Sequence, residues 1–178
     1  MNEIEIIRSQ LAVEQAHAAE VANACATAAG ATEGRSGSGE AITPFREACV
    51  SYLVWVLARF EERDQTLSEL LAGRQFGTLI GQSGTSREAL ARLEAALAAG
   101  DGGAAHSGWQ EFARFFNCAW TPRRSALEAA LTEHATVTQW RAVCAIDADS
   151  MLEERNRYAR VAAQLPAGIE LQRAPPPR

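Results

Sequence analysis

The chain has 178 residues, of which 47% are hydrophobic and 22% charged, and it carries a formal net charge of −5. Such a chain fits one globular domain that can bury a core without disulfide or metal staples. The acidic balance excludes nucleic acid as the main partner, because phosphate binding depends on clustered cations. Every one of the 17 cationic side chains is arginine. Schiff-base chemistry, lysine-anchored cofactors and the P-loop lysine are therefore excluded.

No apolar run approaches the ~20 residues that span a bilayer. The acidic start, Met1 to Glu5, lacks the basic and then apolar pattern of a secretory signal. The reading is a cytoplasmic protein with neither a membrane nor a nucleic-acid partner.

The first predicted helix runs from about Asn2 to Ala29, with Ile4, Ile7, Leu11, Glu14, Ala18, Val21 and Cys25 recurring at helical spacing. It stops at Gly30, and the Gly/Ser-rich stretch to Gly39 reads as a flexible connection. Thr43 as N-cap and Pro44 at the first helical position open the second helix, which ends near Ala72. Gly77 to Gly84 is a loop without a GxxxxGK pattern. A third helix starts at Thr85 or Ser86 and ends before Gly100. A fourth, from about Ala104 to Ala119, carries the stripe His106, Trp109, Phe112, Phe116 and Trp120.

The fifth begins at Thr121-Pro122 and continues to about Leu165, ~60 Å at 1.5 Å per residue, with a bend expected near Asp147 to Ser150. The expectation is an all-α, antiparallel four-helix-bundle-like domain over residues 1–166, of about five helices with a long C-terminal one. Residues 167–178 are expected to be an extended or disordered tail rich in proline.

Polar residues on apolar stripes need a reason, since burying them costs free energy unless they are satisfied. Glu14 lies on the first stripe with His17 beside it, and Asp64 sits between Phe60 and Leu67 with Glu61 a turn earlier. His106 heads the aromatic stripe, His134 falls between Leu131 and Thr138, and Asp147 and Glu154 lie farther along the last helix. Counted from the loops of an up-down-up-down bundle, all three histidines fall in one layer, ~18–20 Å from one end.

Bundle metal sites use inward Glu and His from several helices, and Glu14-Gln15-Ala16-His17 has the Glu-x-x-His spacing. Ferritin-like sites carry two such motifs and hemerythrin-like sites need more histidines than three, so the chain fits neither pattern. The expected ligands are Glu14, His17, Glu61, His106 and His134, with Asp64 or Asp147 as a further ligand or support. Iron, manganese or zinc would be the metal, in an oxidase, oxygen-handling or metal-sensing role. The alternative is a non-enzymatic bundle that assembles as a homo-oligomer, or binds a partner protein or a small apolar ligand. Trp109, Phe112 and Phe116 would line such a pocket, or simply form core. The cysteines at 25, 49, 118 and 144 have no CxxC spacing and read as reduced and packed, with Cys25 and Cys49 at matching height.

Overall fold

The computed structural model describes residues 2–32, 39–70, 83–99, 102–115 and 121–172. The fold is all-α, built from α1 (Glu3–Thr32), α2 (Gly39–Leu70), α3 (Ser83–Ala98), α4 (Gly102–Phe115), α5 (Thr121–His134), α6 (Val137–Cys144) and α7 (Ala148–Ala163). Residues 77–82 of the expected Gly77–Gly84 loop, Gly100, Asp101, Phe116, Cys118 and Trp120 lie outside the described residues.

The helix α1 is the spine. Its stripe of Ile7, Leu11, Glu14, Ala18, Val21, Cys25 and Ala28 is buried along its whole length, as three- and four-residue spacing requires of a helix covered on one side. The partner α2 runs antiparallel to it: Glu14 meets Arg59 and Arg63, while Cys25 meets Cys49 farther up. The helices α3 and α4 form a second antiparallel hairpin, in which Arg92 reaches Glu111 and Leu93 packs on Gly108. A Cβ at Gly108 would lie 3.3 Å from Leu93 Cδ1, so a side chain there would require Leu93 to give by a few tenths of an ångström. The hairpin covers the C-terminal half of α1, and α5 and α6 cover the N-terminal half.

Two boundaries differ from expectation. Helix α2 begins at Gly39, so Pro44 lies inside it rather than at its start. The missing N–H of Pro44 removes one bond to the carbonyl of residue 40, close to a helix end where donors go unpaired in any case.

The larger difference is the last helix, which is three helices instead of one. The first break lies at Ala135 and Thr136, where Thr136 and Gln139 form a capping box that starts α6. Ala145 ends α6 in the left-handed conformation, with φ 49° and ψ 43°. Asp147 and Ser150 then make a second capping box, the Asp147 carboxylate accepting from Ser150 N at 2.7 Å. Side chains that bond their own backbone compete with helix continuation, and here they win twice.

The interior divides into two apolar clusters. One gathers Val21, Cys25, Phe45, Leu53, Leu93, Trp109 and Phe112. The other gathers Ile7, Leu11, Leu67, Leu131, Trp140 and Val143. Along α1 the seam between them falls at Glu14 and His17; along α2 it falls at Arg63 and Asp64.

Candidate functional site

The seam is a polar layer. Glu14 is 1% exposed and Arg63 2%, and Arg63 Nη2 lies 2.7 Å from Glu14 Oε2. Arg59 Nη2 approaches the other carboxylate oxygen at 3.4 Å. Both guanidinium groups also grip the C-terminus of α6: Arg63 Nε donates to Cys144 O at 2.7 Å, and Arg59 Nη2 to Ala145 O at 2.8 Å. Carbonyls at a helix C-terminus lack intrahelical partners and carry partial negative charge, so two arginines suit them. Burial lowers the basicity of Arg59, an effect opposed by the charge of Glu14.

One turn up α1, His17 Nδ1 lies 2.7 Å from Glu154 Oε1, and the same oxygen accepts from Tyr52 OH at 2.9 Å. A carboxylate only accepts, so His17 carries a proton on Nδ1 and Nε2 is the ring nitrogen turned away from Glu154. The His17 side chain is 26% exposed and that of Glu154 3%. Tyr158 stacks on the imidazole with centroids 3.7 Å apart and planes 12° from parallel, and its hydroxyl donates to buried Glu20. Burial, then the charge of Glu154, raises the Tyr52 hydroxyl well above the ordinary phenol range, which keeps it a donor.

The expected histidine layer does not form. His106 packs against Gly30 near the end of α1, where a Cβ would lie 3.2 Å from its Cε1. That is thirteen residues from His17, ~20 Å along a helix. His134 closes α5, whose Leu131 packs with Ile7 and Leu11 at the opposite end of α1; its Nε2 is 3.5 Å from Glu133 Oε1. The equal-height count assumed an up-down-up-down bundle with its first and last turns at one end; instead His106 lies beside Gly30 while α5 packs on the opposite end of α1. Glu61 is half-buried on α2, Asp64 is buried at the seam, and Asp147 is the exposed N-cap of α7. Among the described residues no group of three or more His, Cys, Asp or Glu side chains is arranged to hold a metal ion.

Glu14 and His17 are thus neighbours on α1 that face different partners. Trp109 and Phe112 are fully buried core residues. Arg63, Tyr52 and Glu20 are the layer residues that stripe reading passed over. Arg63 had a visible signal, since it sits three residues after Phe60 and four before Leu67, on the same stripe. No protein-family model matches the chain, and neither a curated protein nor a solved structure shows significant similarity to it. No helix among the described residues is long and apolar enough to cross a membrane.

Proposed function

We propose that the chain is a partner-binding helical bundle in which α7 is a polar latch over a groove between α1 and α2. The observation that carries this reading is how α7 docks: of its side chains, Glu154 and Val161 are the buried ones. Tyr158 stacks on His17, donates to Glu20 and packs on the first apolar cluster, Arg157 Nη1 donates to Ser51 Oγ at 3.2 Å, and beyond the helix Leu165, Ile169 and Leu171 pack on the same cluster. An element held by few apolar contacts opens at lower free energy than the core beneath it. An amphipathic partner helix bearing a carboxylate, an aromatic residue four positions on and an aliphatic residue three beyond would reproduce Glu154, Tyr158 and Val161.

The test uses the full chain and a fluorescent peptide spanning residues 146–171, read by anisotropy. Saturable binding that tightens in the Glu154→Gln chain and is lost when the peptide carries Glu154→Lys supports the reading. Absence of saturable binding to either chain overturns it. A second copy exchanging the same helix would give a homo-oligomer, detected by light scattering.

A second reading rests on the Glu154 and His17 pair. A carboxylate on Nδ1 is the arrangement that orients a metal-ligating imidazole, leaving Nε2 as the ligand atom. Iron, manganese or zinc in tag-free protein, lost in His17→Ala, supports that reading, and metal content unchanged in the variant contradicts it.

A further inference from the structure

Helix α6 stops at Ala145, although the residue pattern does not. An alternating spacing of three and four runs from Val137 to Leu165, and Cys144, Asp147, Met151 and Glu154 carry it across the junction with α7. A single helix would hold that line on one face. The break is maintained by side chains that compete with the helix. In an unbroken helix the carbonyls of Cys144 and Ala145 would accept from the N–H groups of Ala148 and Asp149. Instead Arg63 Nε donates to the first at 2.7 Å and Arg59 Nη2 to the second at 2.8 Å. Asp147 accepts from Ser150 N as the cap of α7, and Ala145 sits at φ 49°, a conformation unfavourable for a residue with a Cβ. The junction therefore has two discrete arrangements, one satisfied by side chains and the other by the backbone.

We infer that this junction is a hinge through which two copies of the chain exchange α7; the inference rests on the latch reading and names the partner as a second copy. With Ala145 helical, α6 and α7 form one rod of ~40 Å. The rod carries Glu154, Tyr158 and Val161 away from the groove between α1 and α2 of their own chain. The groove of a second copy offers the same His17, Tyr52 and Glu20. Reciprocal exchange about a two-fold axis rebuilds each contact of α7 in both copies, which is why swapping an identical element reaches a dimer with little new interface. The two forms differ chiefly at the junction, so Ala145 and Asp147 set the balance between them.

The experiment uses the full chain carrying Ser51→Cys and Arg157→Cys, positions whose native side chains meet at 3.2 Å between α2 and α7. Oxidation joins them within one chain when α7 lies in its own groove and between two chains when it is exchanged. Non-reducing gels separate the two products, and sedimentation of the chain without these cysteines gives the dimer's dissociation constant. The interchain product should rise with protein concentration, and Asp147→Ala, which removes an exposed cap, should raise it further. Ala145→Gly relieves the left-handed strain and is the poorer helix former. It should weaken the dimer at least about 25-fold, about fivefold at each of two hinges. Only the intrachain product in every variant, or an unchanged product ratio in Asp147→Ala and Ala145→Gly, overturns the exchange and leaves the latch, which the peptide titration tests. A covalent dimer formed equally by either single-cysteine chain also overturns the exchange. Formation of neither disulfide refutes the docking of α7 on which both readings rest.

Discussion

Glu154 Oε1 is a shared acceptor, taking the hydroxyl of Tyr52 from α2 at 2.9 Å and Nδ1 of His17 from α1 at 2.7 Å. One atom of α7 thereby ties together the two helices of the spine. Removing one donor leaves the other in place, so the two contacts are coupled. Tyr52→Phe should cost about 0.5–1.5 kcal/mol and Glu154→Leu, which strands the buried Tyr52 hydroxyl and the half-buried His17, about 1–3 kcal/mol. A double-mutant cycle of Tyr52→Phe with His17→Ala, read by urea denaturation, should show a coupling of at least about 0.5 kcal/mol. Additive losses would mean that the two donors act separately.

The Glu14 and Arg63 pair is buried more deeply, and breaking a buried pair leaves an uncompensated charge. Arg63→Met should destabilise by about 3–5 kcal/mol. Adding Glu14→Gln should recover part of that loss, although the Cys144 carbonyl then lacks its arginine donor. Chemical denaturation of the single and double variants measures both effects, and a double variant no better than Arg63→Met would contradict the pairing.

Ala145 carries the opposite prediction. It holds φ 49° as the C-cap of α6, a conformation that strains a residue with a Cβ. Glycine is free of that strain, so Ala145→Gly should stabilise by about 1 kcal/mol while keeping the carbonyl that Arg59 uses. A lower thermal midpoint in Ala145→Gly would show that side-chain packing at Ala145 matters more than its backbone.

Much of the fold was legible because periodicity and caps are local signals. The α1 stripe, the Gly30 region as its end and the buried position of Glu14 all follow from spacing within one helix. The break at Asp147 falls where the expected bend lay, but the one at Thr136 was not legible from apolar spacing, which continues through it while its side chain interrupts the backbone. The partners of the polar residues were hidden for a different reason. Glu14 finds Arg63 across the hairpin, and His17 finds Glu154 from 137 positions away. Stripe position announces that a polar group is buried, while its partner depends on helix register.

Titration acts on the caps and thiols in opposite directions. Hydrogen bonds from the Ser150 backbone and side chain hold the Asp147 carboxyl below the usual carboxylate range. Its folded value lies below its unfolded value, so the contribution is present at neutral pH and lost as pH falls through the lowered value. The N-terminus of α7 should therefore fray in acid, visible as a shift of the Ser150 amide resonance. Burial pushes the Cys144 thiol up to about 12. Here the folded value exceeds the unfolded one, so stability is retained below the ordinary thiol range and declines as pH rises from there towards 12. A Cys144→Ala chain should show a flatter decline in alkaline denaturation.

The latch is tested most directly by hydrogen exchange of the intact protein, resolved by peptide. The account predicts that amides of α7, within residues 151–163, exchange faster than those of α1 and α2 around Val21 and Leu53. It also predicts that Glu154→Gln accelerates α7 exchange and leaves the hairpin unchanged. Exchange of α7 as slow as that of the hairpin, or acceleration of both together in Glu154→Gln, would contradict it.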